Sequence, residues 1–300
     1  MKYLVPLALV LVGCGGCSSG GSDLAVRPAA LPDGRVELDY QAALQADAAA
    51  ARVAWSVTAG ALPPGIALGA DGTLSGAPTR SGDYPFAVTA DDGTGEAAAD
   101  LTIHVPRVAL LSGFGPFEGY PVNPSIEALK PLDLQLVAGL DVRVIELPVQ
   151  WDVSWTQLEA KIDELGPSIA IGTGVANSDA MRYETTAHNL ESGVDTANVS
   201  RTNVLIAPDG ASTLPSELPI AELSAAVSAA GFPILLSDSA GAYLCNFIFY
   251  HLALRANADD TLLGGFIHVP PAPSASFQID DITSAHRIEL ETLASLLPGG

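Results

Sequence analysis

The chain changes texture once, near residue 106, and that change bounds what it can fold into. Before it, short strand-like runs alternate with turn signals. Val53 to Val57 alternates polar and apolar, Leu62-Pro63-Pro64-Gly65 interrupts, and Asp71-Gly72 forms a hairpin-type turn ahead of Thr73-Leu74. Pro78, Gly82 and Asp92-Gly93 punctuate the rest, and Tyr84–Thr89 and Ala99–Val105 read as two closing strands. Several short strands at this spacing predict an all-β sandwich over residues 25–105. Beyond residue 106, short apolar runs alternate with amphipathic stretches. Val108–Leu111, Val142–Leu147, Ser168–Gly172, Ile234–Ser237 and Gly265–Val269 read as strands. A helix capped by Asn123-Pro124-Ser125 from about Ile126, and helices over Thr156–Glu164 and Pro219–Ala230, lie between them. That alternation predicts an α/β domain over residues 107–300, helices covering a mostly parallel sheet. Two domains suit a chain of 300 residues.

Charge narrows the partners. Only 13 Lys and Arg stand against 34 Asp and Glu, a formal net charge of -21. Such a surface repels a phosphate backbone and argues against nucleic-acid binding. The N-terminus reads as an address: Met1-Lys2 is positive, Tyr3–Val12 is apolar, and Leu11-Val12-Gly13-Cys14 resembles the lipobox of bacterial lipoproteins. The resemblance implies a signal peptide over residues 1–13, acylation of Cys14, and a cell-envelope protein held to a membrane by lipid. Gly15 and Gly16 then favour the outer membrane, on either its periplasmic or its surface face. Residues 14–24 form a flexible Gly/Ser tether. Cys14 and Cys17 can instead be read as a C-x-x-C redox or metal pair, although no second ligand pair follows nearby.

The third cysteine carries the chemistry. Cys245 stands in Ser237-Asp238-Ser239-Ala240-Gly241-Ala242-Tyr243-Leu244-Cys245-Asn246, ahead of an aromatic run, and His268 follows in Gly265-Phe266-Ile267-His268-Val269-Pro270. A thiol is mostly protonated at neutral pH, and a neighbouring imidazole that takes its proton leaves a reactive thiolate. That imidazole needs an acceptor to orient it. Glu184, in Arg182-Tyr183-Glu184-Thr185-Thr186-Ala187-His188-Asn189, is the first candidate, with Asp195 and Asp238 as rivals. His188, His251 and His286 read as structural or surface residues, and His104 as a solvated strand end. In the β-domain Trp55 reads as core, with a sugar platform as the alternative. Asp91 and Asp92 read as a solvated strand end, with interdomain calcium as the alternative.

Two resemblances follow from these segments. The run GALPPGIALGADGTLSGAPTRSGDYPFAVTADD resembles the Ig-like domains that recur in bacterial surface proteins. It implies a spacer or adhesion module that could meet a surface partner. GFGPFEGYPVNPS, YETTAHN, SDSAGAYLCNFIFY and GFIHVP, in this order, resemble the pyroglutamyl peptidase I family of cysteine peptidases. That resemblance implies an α/β/α sandwich with Glu184, Cys245 and His268 as the catalytic triad. It also implies removal of an N-terminal pyroglutamate from blocked peptides, without a cofactor. Phe114 and Phe117 match the family's aromatic walls and Asn123 its motif asparagine, and Tyr243 joins them as a candidate substrate contact. The sequence departs from the family at Thr185, where an arginine is usual, at Gly172–Asn177, at Gly193–Asn198 and at Pro271. These changes surround the pocket and spare the triad. They motivate the alternative of a non-catalytic lipoprotein that binds a peptide or lactam.

Overall fold

The computed structural model describes residues 24–47, 52–117, 120–274 and 276–298. The expected signal peptide, Cys14, Cys17 and nearly all of the tether lie outside the described residues. Among the described residues, no helix is long and apolar enough to cross a membrane.

The N-terminal domain is built from strands β1 (Val26–Arg27), β2 (Tyr40–Ala43), β3 (Gln45–Ala46), β4 (Ala54–Gly60), β5 (Ile66–Leu68), β6 (Thr73–Gly76), β7 (Gly82–Asp91) and β8 (Glu96–Val105). They form two three-stranded sheets, β2-β6-β5 and β4-β7-β8, with β1 and β3 as a separate ribbon. Alternate side chains of the two long strands, among them Val88 and Ile103, are fully buried with Val36 and Leu74. That period of two is what a sheet with one wet face demands. Asp71-Gly72 makes its expected turn, with Gly72 at φ +83°, where glycine alone carries no Cβ penalty. Trp55 packs half-buried against the core, as expected.

After Pro106-Arg107 the chain enters β9 (Val108–Phe114), buried along its whole length. The order continues with helix α1 (Pro124–Glu127), β10 (Leu136–Val137), β11 (Leu140–Leu147), α2 (Val153–Leu165), β12 (Ile169–Val175), β13 (Met181–Glu184), β14 (Thr186–His188), β15 (Glu191–Val194), β16 (Ser200–Val204) and β17 (Thr213–Pro215). It closes with α3 (Ile220–Ala229), β18 (Ile234–Ser237), α4 (Leu244–Ala258), β19 (Leu263–Val269) and α5 (Ile279–Leu296). A seven-stranded sheet runs β10-β11-β9-β12-β19-β13-β18. Helices α2 and α4 pack on one face, and α1, α3 and α5 on the other. The sheet is mostly parallel, as expected, with two antiparallel pairs: β13 runs antiparallel to β19, and β10 to β11. The loop from β12 to β13 contains no crossover helix, so the chain must reverse direction there. Helix α1 is a single turn. Pro131 disfavours helical backbone just before it, and the chain continues as a 3-10 turn over Lys130–Leu132.

Two buried polar clusters fix the frame. Asp141 on β11 is fully buried, and Arg143 grips it through Nε at 2.9 Å and Nη2 at 2.6 Å. Arg35 of the Ig-like domain pairs with the same carboxylate and donates to Leu134 O at 2.9 Å. Arg143 in turn donates to Val36 O at 2.8 Å. A buried charge left unpaired costs several kcal/mol, so this network ties the two domains together at the sheet edge. On the other side, Tyr183 donates to Glu289 Oε1 at 2.7 Å, and His286 Nδ1 meets Glu289 Oε2 at 2.7 Å. Burial, then the charge of Glu289, pushes the Tyr183 pKa upward, so its hydroxyl stays a donor. This cluster pins α5 beneath β13, the strand that carries Glu184.

Candidate active site

Cys245, His268 and Glu184 meet above the centre of the sheet. His268 lies near the end of β19, which pairs with β12 on one side and β13 on the other. Its Nδ1 donates to Glu184 Oε1 at 2.7 Å, with Glu184 fully buried and His268 5% exposed. That bond turns Nε2 outward, and the Cys245 sulfur lies close enough for its charge to act on the ring. Cys245 sits in the first turn of α4, whose first internal backbone bond is Phe247 N–H to Tyr243 O at 3.0 Å. The N–H groups ahead of it are unsatisfied within the helix, and with the helix dipole they favour an anion there.

The thiol fits because β12 offers no side chain beneath it. Gly174 is the register partner of His268. A Cβ at Gly174 would fall 2.6 Å from Cys245 Sγ and 3.1 Å from the Phe266 ring. A Cβ at Gly172 would fall 2.6 Å from the same ring. Phe266 needs that space to press edge-on against His268, with ring centroids 5.0 Å apart. The altered Gly172-Thr173-Gly174 segment thus makes room for the sulfur, and Thr173 bonds inward to Ser112 O and Ser125 O, both at 2.9 Å.

Burial alone would lower the pKa of His268, but the charge and hydrogen bond of Cys245, then those of Glu184, outweigh it and raise it to about 9. At neutral pH the imidazole is therefore a cation, placed between the Cys245 sulfur and Glu184. The rivals of Glu184 are placed elsewhere. Asp195 accepts from the N–H groups of Trp151, Ala197 and Val199, which fixes a loop. The main chain of Asp238 accepts from His188. His251 stacks on Trp155 with centroids 4.5 Å apart, and its pKa falls to about 4, chiefly through burial. His104 is half-exposed and paired with Asp83 at 2.6 Å.

The candidate substrate contacts divide. Phe114 ends β9 and is 4% exposed, and Phe117 is partly buried and packs on Tyr120 at 5.1 Å between centroids. Asn123 is buried and hydrogen-bonded within the turn it caps. Its Oδ1 accepts from Ser125 N and Oγ, and its Nδ2 donates to Gly115 O at 3.0 Å. It is a buried helix cap that shapes the Phe114–Gly115 turn. Tyr243 gives its hydroxyl to Val194 O at 2.8 Å and packs edge-on against Trp151, so it clamps the β15–β16 hairpin.

Sequence reasoning missed three positions. Asn246, beside the nucleophile candidate and fully buried, donates to His188 O and Leu190 O and accepts from His188 N. It locks α4 to the segment after Glu184. Asn189 holds the following loop through Ala207 and Gly210. Arg182 stands 2.7 Å from Glu184 Oε1. The Asn residues were visible inside the quoted motifs, whereas the placement of Arg182 depends on strand pairing.

Residues 107–294 match the family described as pyroglutamyl peptidase. The chain belongs to the pyroglutamyl peptidase family. Residues 26–106 match a family of Ig domains. A pyrrolidone-carboxylate peptidase of Cupriavidus pinatubonensis is 37% identical over 172 residues, 56% of this chain and 80% of the relative. Pyrrolidone-carboxylate peptidase 1 of Ralstonia nicotianae is 36% identical over 196 residues, 61% of this chain and 91% of the relative. Among solved structures, pyroglutamyl peptidase I of Bacillus amyloliquefaciens superposes with a TM-score of 0.60 at 30% identity, covering 63% of this chain and 97% of that one. A Pyrococcus furiosus pyrrolidone carboxyl peptidase variant gives 0.61 at 28% identity, covering 63% and 100%. These matches support the expected α/β domain behind an Ig-like domain.

The packing under Cys245 is testable. Gly174→Ala should keep the fold, because Gly174 is ordinary strand backbone, but push the sulfur off the imidazole. Displacement of a reacting group by about 1 Å can cost on the order of a hundredfold, so the expected loss is in kcat with little change in thermal stability. Unchanged kcat would contradict the geometry.

Proposed function

We propose that the protein is a cysteine peptidase that removes pyroglutamate from the N-terminus of peptides, with Cys245 as nucleophile, His268 as acid and base, and Glu184 as the group that orients His268. The observation that carries this reading is the meeting of Cys245, His268 and Glu184 in one site, with His268 Nδ1 on Glu184 Oε1 at 2.7 Å, inside a domain of the pyroglutamyl peptidase family. The thiolate attacks the pyroglutamyl carbonyl. First-turn N–H groups of α4 stabilise the resulting oxyanion, a donor typically contributing about 3 kcal/mol. His268 gives its proton to the leaving amine, and the C–N bond breaks to leave a thioester. Water then loses a proton to His268 and attacks the thioester, releasing pyroglutamate and restoring the ion pair. A lactam carries no terminal ammonium, so apolar walls such as Phe114 and Phe117 suit it better than a counter-ion.

We infer from the sequence that lipid on Cys14 holds this activity at the cell envelope, with the outer membrane favoured by Gly15 and Gly16. The Ig-like domain then serves as a spacer able to meet a surface partner. In a bacterial host, Cys14→Ala should abolish incorporation of labelled fatty acid and move the protein out of the membrane fraction. Membrane retention equal to wild type would refute the anchor.

For the catalytic reading, the purified full chain should hydrolyse a pyroglutamyl fluorogenic amide, lose activity to iodoacetamide, and be silent as Cys245→Ser. Activity should fall as pH rises through about 9, where His268 gives up the proton that the leaving amine needs. A Cys245→Ser variant as active as wild type would end the thiol mechanism.

A further inference from the structure

Thr185 occupies the position where the family resemblance places an arginine, and its hydroxyl bonds Ser237 O at 3.0 Å. The cation at this site comes instead from Arg182, two residues before Glu184 on the same face of β13. Arg182 is the cross-strand register partner of His268. Its Nε lies 2.7 Å from Glu184 Oε1, the oxygen that also accepts from His268 Nδ1. The Nε contact lacks the alignment of a hydrogen bond, so the attraction there is Coulombic. The other end of the guanidinium, Nη2, donates to Ser239 O in the turn that leads to Cys245. One side chain therefore spans the orienting carboxylate and the loop that delivers the nucleophile.

Charge counting makes the same point. With Cys245 as thiolate and His268 as imidazolium, Cys245, His268 and Glu184 together carry one net negative charge in a buried setting. Arg182 brings the sum to zero. Burying net charge is costly, and a guanidinium has the planar fork to hold a carboxylate and a carbonyl at once.

We propose that Arg182 is a positioning residue for the hydrolysis proposed above, fixing Glu184 against His268 and tying both to the Ser239 turn. This rests on that reading of the site. His268 is faced by Cys245 from α4, by Glu184 and Arg182 from β13, by the uncharged Phe266 ring of its own strand and by Gly174 of β12. Removing the one fixed cation among them makes the imidazolium harder to deprotonate and the thiolate harder to form. Both pH limits should therefore move upward.

The test compares the full chain as wild type, Arg182→Gln, Arg182→Lys and Cys245→Ser on a pyroglutamyl amide across pH. It also follows the pH dependence of Cys245 alkylation by iodoacetamide, which needs no turnover. Arg182→Gln should lose on the order of tenfold to a hundredfold in kcat with KM little changed, and both the activity profile and the alkylation midpoint should shift up by roughly half a unit or more. Arg182→Lys should restore the pH limits, because the charge remains, and recover part of kcat. Arg182→Gln with wild-type kcat and pH limits would overturn the proposal. Equal losses in both variants with unmoved pH limits would also overturn it, since that is the mark of packing alone. A wild type that does not turn over would sink the peptidase reading by itself, and the alkylation midpoints would still decide the role of Arg182.

Discussion

A carboxylate that is fully out of water has to be satisfied by charge, and in this protein that requirement organises the catalytic domain. Glu184 finds its partners only because β13 runs antiparallel to β19, which places His268 and Arg182 opposite each other. On its other side, the parallel pairing of β19 with β12 brings the imidazole over Gly174, the one kind of residue that leaves space for the Cys245 sulfur. Reversing β13, or moving it by one residue, would turn Glu184 to the other face of the sheet. The buried Tyr183–Glu289–His286 cluster resists that movement from below, because Tyr183 points to the opposite face from its neighbours.

The same logic joins the two domains. Asp141 is buried at the sheet edge and accepts from an arginine of each domain. The apolar core is continuous from Val36, Val88 and Ile103 of the Ig-like domain into Val108 and Leu110 of β9. A loosely tethered module would not need a shared core, so the Ig-like domain is a fixed part of the molecule that carries the site.

Much of this was legible in the sequence. Buried strands such as β9 and β19 are short apolar runs, and the Asn123-Pro124-Ser125 cap marks the start of α1. The ordered Cys, His and Glu segments point to one site. What was hidden depends on pairing across the chain. β13 contains only Met181, Arg182, Tyr183 and Glu184, an alternation too short to stand out and without an apolar run, and its polar residues are covered by partners distant in sequence. Its direction made the sheet mixed, and only its register reveals Arg182. Asn123 was visible as a motif residue, but its hydrogen bonds to the cap and to Gly115 depend on how the turn folds. The Asp141 network was equally out of reach, since Arg35 lies in a different domain.

The claim on which the chemistry depends is that His268 is held as a cation between Cys245 and Glu184. Nitrogen-15 NMR of the His268 imidazole across pH, in wild type and in Cys245→Ala, tests it directly. The account predicts a wild-type midpoint near 9 that falls clearly when the sulfur is removed, because burial then opposes the charge with one anionic partner gone. A wild-type midpoint at or below the ordinary 6.5, unchanged in the alanine variant, would contradict it.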